Sequence, residues 1–441
     1  MTLKDEIDLA SAEAPFTCTL CGCLCDDILL EVESGRVVEA RNACDMARPI
    51  LIGVPTIPED SASPRRKGRD VTIEEAVSEC ARILGESQAP VIVGLERSTN
   101  ETVRKVVGLA DRLGATLEIG EASAAWARIT AMQRVGAVGA TLGEVKARAD
   151  VIVFWACDPA TTHPRHFERY SIDAVGRFVP GGRESRRVIV FDVDETPTAR
   201  LADHFVRIER GRELNLLNVL RALVRGCELE PDRVEEATGH RIDDLQTLVK
   251  VLRGARYGAW FYGAFAGRAG AEGAEGRHHA VTALVRELAR GTRFVALGLG
   301  EPGNSHGAEG VLGWQSGFTP GVDFAAGFPE SLPGETSAAG RLATGEFDAA
   351  LVLGEVPEPS HDALESRPWI FIGSPRSQAF DRADVALPAG TAGVDDSGTF
   401  TRVDGVVLPV RAFRPRSSPG AQEWLDRIER AVAASKAGAS Q

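Results

Sequence analysis

The sequence predicts an α/β protein built from two doubly wound domains. Three observations carry that prediction. Short apolar runs of strand length recur at residues 91–95 (VIVGL), 151–155 (VIVFW), 188–192 (VIVFD), 259–262, 294–297, 349–353 and 369–372. Segments with helical apolar spacing lie among them, near residues 101–113, 213–224, 243–252 and 278–289. Strands that are apolar on both faces and alternate with amphipathic helices form parallel sheets covered on both sides. Such units are too many for one sheet, and 441 residues exceed one ordinary domain.

Taken in order, the chain opens with residues 1–14, which are acidic and lack the apolar stretch of a signal peptide. That predicts a reducing cytoplasmic setting, where disulfides are uncommon. Five of the eight cysteines fall between Cys18 and Cys44, a clustering that points to a metal site rather than a disulfide framework. Residues 61–70 (SASPRRKGRD) form a basic, proline-containing link and read as a boundary. Thr72 and Glu75 then make a capping box, T-x-x-E, at the start of a helix. Ile73, Ala76, Val77, Cys80, Ile83 and Leu84 repeat at helical spacing, which makes Cys80 a small core residue. The tail from residue 414 is Pro/Ser-rich and becomes helical over 421–434.

Composition narrows the function classes. A hydrophobic content of 44% with 26% charged residues is that of an ordinary globular protein. The formal net charge of −13 argues against a nucleic-acid partner. No stretch approaches the ~18 uninterrupted apolar residues of a membrane span.

The sharpest motif is Cys18-Thr-Leu-Cys21-Gly-Cys23-Leu-Cys25, followed by Cys44. Cys18, Cys21, Cys25 and Cys44 give the spacing C-x2-C-x3-C-x18-C. Three thiolates in one tight loop with a distant fourth suit a [4Fe-4S] cubane, whose irons each need a ligand. Zinc would more naturally use paired C-x2-C knuckles or histidines. A decayed motif that binds nothing also fits, and Cys23 is a spare thiol able in principle to replace Cys25.

Other signals are weaker. Gly298, Gly300 and Gly303 spell G-x-G-x-x-G directly after the strand at 294–297. A dinucleotide fingerprint must open a helix, and residues 304–317 offer no amphipathic one, so a glycine-rich loop at a strand end is expected. The run WACDPATTHPRH at 155–166 also follows a strand. Its His163, Arg165 and His166 are candidates for an anion or pterin phosphate. The plainer reading has Pro159 and Pro164 shaping a turn and the polar groups capping a helix. Arg277-His278-His279 reads as a helix start, and Asp395-Asp396 as a solvated turn.

Together these segments resemble one family. The cysteine loop with LCDDILLEV, the turn WACDPATTHPRH and the stretch FDVDETPTARLADHFVRIERGRELNLLNVL resemble molybdopterin-dependent oxidoreductases of the formate dehydrogenase type. ADVALPAGTAGVDDSGTFTRVDG resembles the pterin-binding end of that fold. LGEVKARADVIVFWAC, WQSGFTPGVDFAAGFPE and LPGE narrow the likeness to the B subunit of formylmethanofuran dehydrogenase. The resemblance runs from about Thr17 to Arg411.

The resemblance implies a molybdopterin-oxidoreductase fold. Its parts would be an iron–sulfur-type cysteine-loop domain over 14–56, a discontinuous first α/β domain over 57–123 and 255–385, an inserted α/β domain over 124–254, and a closing segment over 386–441. It implies a pterin cleft lined by Asp158, His163, Arg165, Gly300, Asn304 and His306. The resemblance stops short of the C-terminal β-barrel of one-chain formate dehydrogenases, so a separate β-barrel subunit is expected. An amidohydrolase-like A subunit, a β-helical C subunit and a D subunit are the other expected partners.

One departure from the family pattern redirects the functional reading. Active relatives hold tungsten or molybdenum by a cysteine or selenocysteine followed by histidine. Counting back from Leu142-Gly143-Glu144-Val145, that pair falls on Ala124-Ala125, and no cysteine occurs between Cys80 and Cys157. Alanine has no lone pair for a metal and no proton to transfer. The pattern resembles the B subunit of the bacterial formyltransferase/hydrolase complex, which moves a formyl group from tetrahydromethanopterin to a methanofuran-type carrier and releases formate, with its chemistry in other subunits. A redox-silent scaffold subunit without tungstopterin or molybdopterin is therefore expected. The alternatives are an active tungsten or molybdenum formylmethanofuran dehydrogenase, an iron–sulfur electron-transfer subunit, and a small-molecule binder in the inherited cleft.

Overall fold

The computed structural model describes residues 15–57, 62–120, 122–263, 274–300, 302–356 and 361–439. The chain divides into two compact units. The first comprises Met1–Ala122, Pro302–Arg402 and Val407–Gln441, and the second Ser123–Glu301 and Val403–Val406. Among the described residues no helix is long and apolar enough to cross a membrane.

The first unit is organised on an eight-stranded sheet. Its centre is parallel, in the order Thr116–Glu118, Pro90–Val93, Ala349–Leu353, Trp369–Gly373 and Val385–Pro388. These strands bury both faces, which is why each reads as an unbroken apolar run. Antiparallel strands close the two edges. Gly321–Asp323 pairs with Thr116–Glu118, and the short hairpin Arg65–Arg66 with Arg69–Asp70 pairs with Val385–Pro388. The basic stretch read as a boundary thus forms a sheet edge from Arg65 onward, and charged side chains there discourage edge-to-edge pairing; Ser61 lies outside the described residues.

Helices cover this sheet because their sequences place apolar residues on one stripe. Ile73–Glu86 starts with the expected capping box: Glu75 N–H donates to Thr72 Oγ1 at 3.2 Å, and Thr72 N–H donates to Glu75 Oε2 at 2.9 Å. Such a cap stabilises a helix by about 1 kcal/mol. Its Ala76, Cys80, Ile83 and Leu84 share one core with Trp424, Leu425 and Ile428 of the C-terminal helix Ala421–Ala439. Trp424 anchors that helix by donating from Nε1 to the carbonyl of Pro388 at 2.8 Å.

The second unit carries a five-stranded, wholly parallel sheet in the order Arg293–Gly298, Tyr257–Tyr262, Val151–Trp155, Arg187–Asp192 and His204–Arg207. Trp155, Phe191 and Trp260 stack across the three central strands with centroids 4.8–5.7 Å apart. Gly258 is required by this packing, since a Cβ there would lie 2.1 Å from the Phe294 ring.

Three expectations are corrected. The boundary expected at residue 254 falls at Glu301. Tyr257–Tyr262 hydrogen-bonds along Val151–Trp155 and carries Arg293–Gly298 on its other side, so both strands belong to the second sheet. Residues 304–317, expected to offer no amphipathic helix and to continue a glycine-rich loop, contain the helix Ser305–Ser316. It buries Gly307, Ala308, Val311 and Leu312, packing by close approach of small residues rather than by an amphipathic stripe. Asp395 and Asp396 are not a solvated turn but are largely buried and paired with Arg414 and Arg416 at 2.5 and 3.3 Å.

Candidate functional site

The cysteine loop is held by its own backbone and by the closing segment of the first unit. Phe16 N–H donates to Ile28 O at 2.7 Å, and Cys18 N–H donates to Cys25 O at 2.8 Å, so the loop returns on itself. Leu24 adopts φ 43°, the left-handed region, inside a turn in which its N–H reaches Cys21 O at 3.4 Å. A non-glycine residue there costs about 1–2 kcal/mol. Burial of Leu24 against Ala392, Phe400 and Val410 offsets that cost. Thr17 donates to Pro409 O at 3.0 Å, and Gly303 N–H donates to Leu20 O at 3.0 Å. Cys44 sits at the entrance of the helix Arg48–Leu51, its carbonyl accepting from Ala47 and Arg48.

Four thiols meet within electrostatic reach. Burial pushes the Cys18 thiol up to about 12, and the nearby thiolate charges of Cys21, Cys25 and Cys44 push it in the same direction. The hydrogen bond from the Cys23 thiol, together with the backbone N–H groups of Cys23 and Cys21, brings Cys21 down to about 7 against its burial. Cys18, Cys23 and Cys25 are buried, and Cys21 and Cys44 half-buried; none of the five is in a disulfide. Desolvation keeps the Cys18 thiol protonated in the unliganded loop, and binding a cation there would have to displace that proton. The residue types and spacing of Cys18, Cys21, Cys25 and Cys44 are those that a tetranuclear cluster would take as ligands. Among the described residues no group of three or more His, Cys, Asp or Glu is placed to hold a metal ion.

The proposed cleft residues fall in both units. Asp158, His163, Arg165 and Gly300 belong to the second unit, Asn304 and His306 to the first. Asp158 ends the turn after the strand Val151–Trp155 with both oxygens engaged: Oδ1 accepts from Thr198 N–H at 3.0 Å and Thr198 Oγ1 at 2.5 Å, and Oδ2 from Thr161 Oγ1 at 2.6 Å. His163 is buried against the backbone of Leu299, and burial lowers it to about 4. His166 is fully buried, with its ring 4.7 Å edge-on to Phe261 and its Nδ1 2.9 Å from Ser171 Oγ. Burial lowers it to about 3. Arg165 pairs with Glu168. Gly300 is exposed at φ 68°. His306 is exposed in the first turn of Ser305–Ser316.

Asn304 is fully buried in a polar lattice that the sequence alone did not single out. Its Nδ2 donates to Ser98 O at 2.8 Å and Asn100 Oδ1 at 3.0 Å, and its Oδ1 accepts from Thr401 N–H at 2.7 Å. Glu101 accepts from Thr399 N–H and Oγ1 at 2.9 and 2.7 Å. Glu96, just past the strand Pro90–Val93, is a further half-buried carboxyl missed in the sequence. It accepts from Gly120 N–H at 2.7 Å, and burial raises its pKa. A carboxylate placed directly after an apolar strand is the signal that would have found it.

The pair expected at a metal site falls on the first turn of the helix Ala122–Val135. Ala125 is buried there, while the side chain of Ala124 lies outside the described residues.

Comparison with known proteins places this architecture. No family model matches the chain. The B subunit of the tungsten-containing formylmethanofuran dehydrogenase 2 of Methanocaldococcus jannaschii is 33% identical over 407 residues, 89% of this chain and 92% of that one. The B subunit of the formyltransferase/hydrolase complex Fhc of Methylorubrum extorquens is 28% identical over 361 residues, 81% and 93% of the two chains. The crystal structure of that complex, FhcABCD with methylofuran, superposes with a TM-score of 0.71 at 26% identity over 85% of this chain and 100% of the matched one. Acetylene hydratase from Pelobacter acetylenicus shares the fold, with a TM-score of 0.64 at 12% identity over 96% of this chain and 70% of that one. The cysteine loop, the mixed α/β units and a similarity that spans nearly the whole chain lead to one assignment: this chain belongs to the family of formylmethanofuran dehydrogenase B subunits.

Proposed function

We propose that this chain is the B subunit of a formyl-processing complex in methanofuran-linked one-carbon metabolism, where it acts as a redox-silent scaffold. The observation that carries the reading is Ala124-Ala125 at the start of the helix Ala122–Val135, where the family resemblance puts the metal-ligating pair. A methyl side chain can neither ligate tungsten or molybdenum nor carry a proton. The formyl chemistry then lies in partners, an amidohydrolase-like A subunit and a formyltransferase, beside a β-helical C subunit and a D subunit, with a separate β-barrel subunit in dehydrogenase-type assemblies. Tungstopterin and molybdopterin are absent from the chain in this reading.

The cysteine loop keeps the ligands of a [4Fe-4S] cluster, with Cys18, Cys21, Cys25 and Cys44 as its holders. Such a cluster supplies one-electron transfer when bound. In a chain without a pterin metal its remaining contribution is structural, since ligation free energy adds to folding free energy. The loop's hydrogen bonds to Pro409 and Gly303 would pass that stabilisation to the closing segment.

A second reading has one observation in its favour. Identity to the tungsten-containing B subunit, 33%, exceeds the 28% to the Fhc one. An active dehydrogenase would follow if another residue replaced the lost ligand. Elemental analysis of the anaerobically purified native complex for tungsten, molybdenum, iron and zinc separates the two. Absence of tungsten and molybdenum, with zinc at the level of the A subunit, is the expected result. Stoichiometric tungsten or molybdenum would overturn the scaffold reading.

A further inference from the structure

Exposed aromatic rings are scarce on this chain and unevenly placed. Among the described residues four phenylalanine or tryptophan side chains are exposed, and three of them, Trp314, Phe318 and Phe328, lie in one stretch of the first unit. Trp314 is 67% exposed and Phe328 57%, and the exposed Leu332 follows them. The backbone brings the four together. Trp314 stands in the last turn of Ser305–Ser316, and Phe318 comes one turn later, just past the cap Gly317 at φ 82°. Phe318 N–H donates to Ser316 Oγ at 3.1 Å, which fixes the exit from the helix. The chain then enters the edge strand Gly321–Asp323, where Asp323 and Glu330 exchange both backbone hydrogen bonds at 2.9 Å. Ser331 Oγ donates to Gly321 O at 2.8 Å, so Leu332 is held beside the chain that leaves Phe318. Phe328 and Leu332 sit on either side of Glu330 on that returning segment. Single apolar residues on a surface need no explanation, whereas a fixed group of aromatic and aliphatic side chains is the composition of an interface centre.

Charge selects the occupant. No lysine or arginine occurs between Arg293 and Arg341, while Glu330 and Glu335 stand exposed among the apolar side chains. A second copy meeting this surface across a two-fold axis would set acidic rim against acidic rim, which repulsion opposes. An apolar face bordered by lysine or arginine is complementary to it. We propose that Trp314, Phe318, Phe328 and Leu332, rimmed by Glu330 and Glu335, form the docking surface for a basic-rimmed apolar face on another subunit of the formyl-processing complex. The proposal rests on the reading of this chain as a subunit of such a complex. Ordered rings that are already in place lose little freedom on docking, so Trp314 and Phe328 are the anchors, and the two glutamates steer the encounter.

The test uses the full chain and the co-purified A, C and D subunits that complete such a complex, with affinity measured by titration calorimetry at low and high salt. Trp314→Ala and Phe328→Ala should each weaken binding by about thirtyfold or more, the effect of losing a central aromatic anchor. Glu330→Lys with Glu335→Lys should weaken it too, and should abolish the loss of affinity that rising salt causes in the wild type. Phe178→Ala, which removes the exposed ring of the second unit, should bind as the wild type does. All these side chains are exposed, so the thermal midpoints of the free variants should match the wild type. The charge-reversal pair keeps the comparison open where a ring variant does not fold. Wild-type affinity in both ring variants would overturn the proposal. A wild-type dimer that becomes a monomer in Trp314→Ala would overturn it in favour of a second copy as the occupant. A wild-type chain that does not bind the A, C and D subunits at all would instead sink the complex reading, and the proposal with it.

Discussion

Asn304 and Asn100 are joined by a side-chain hydrogen bond of 3.0 Å, from Nδ2 of the first to Oδ1 of the second. The bond ties the start of the helix Ser305–Ser316 to the start of the helix Asn100–Leu113. Thr401 closes the same lattice, its N–H on Asn304 Oδ1 and its Oγ1 accepting from Asn100 Nδ2 at 3.1 Å. Asn304→Ala would leave the Thr401 N–H, the Ser98 carbonyl and Asn100 short of partners in a dry interior. Each orphaned group costs about 1–3 kcal/mol, with incomplete additivity. A loss of about 3 kcal/mol in urea denaturation is expected, and a loss under about 0.5 kcal/mol would refute a structural role for Asn304.

His163 and His166 make the stability of the second unit sensitive to acid. Burial lowers them from 6.5 to about 4 and about 3. A base with a depressed folded value stays neutral in the folded chain while the unfolded chain takes up protons. Their contribution is therefore fully present above pH 6.5 and is lost as pH falls towards 4. Two groups give a loss of about 3 kcal/mol between about pH 6.5 and 5. His166→Phe suits the surrounding Phe154, Phe167, Tyr170 and Phe261 rings, although it leaves Ser171 without its ring partner. Urea midpoints measured at mildly alkaline, near-neutral and mildly acidic pH should flatten in that variant. An unchanged pH slope would rule His166 out as the source.

Some of this was readable from the residues and some was not, for physical reasons. Ala349–Leu353 and Val151–Trp155 are legible because a strand buried on both faces leaves an unbroken apolar run. Thr72 and Glu75 are legible because a capping box is a local exchange of hydrogen bonds between residues three apart. The order of strands in space is not local, so the placement of Tyr257–Tyr262 beside Val151–Trp155 escaped the sequence. The helix Ser305–Ser316 escaped because glycine and alanine pack by proximity and leave no apolar period. The cysteine spacing is visible in the chain. The fate of Asn304 and Asp158, whose polar atoms are taken up by Thr401 and Thr198, is decided by partners 97 and 40 residues away.

Gly303 is fixed by two independent constraints. Its φ of 72° lies in the left-handed region, and a Cβ there would sit 2.4 Å from the Glu96 carbonyl oxygen. Its N–H holds Leu20 of the cysteine loop. Gly303→Ala must either strain the backbone or push the segment at Glu96 away, at a cost of about 2–4 kcal/mol. The expected readout is a lower thermal midpoint together with reduced iron uptake on reconstitution, because the loop loses its Gly303 contact. Gly300→Ala, exposed and with its nearest side chain at 3.4 Å, should cost less. Equal losses in the two variants would show that the close approach at Glu96 is not the cause.

Restoring the missing pair should not restore dehydrogenase chemistry. Ala125 is 6% exposed in the first turn of its helix, so Ala125→His forces an imidazole into space filled by a methyl group. Overpacking of this kind costs about 1–3 kcal/mol. A ligating cysteine at position 124 would still need pterin dithiolene sulfurs to complete the coordination of tungsten. Of the residues assigned by resemblance to the pterin cleft, Asp158, His163, Arg165 and Asn304 already have protein partners. The Ala124→Cys, Ala125→His double variant, expressed with its partner subunits and supplied with tungstate, is therefore expected to carry no stoichiometric tungsten, to reduce no CO2 and to melt below the wild type. Tungsten at one per chain with CO2 reduction would mean that only these two side chains separate this protein from an active dehydrogenase, and would overturn this prediction.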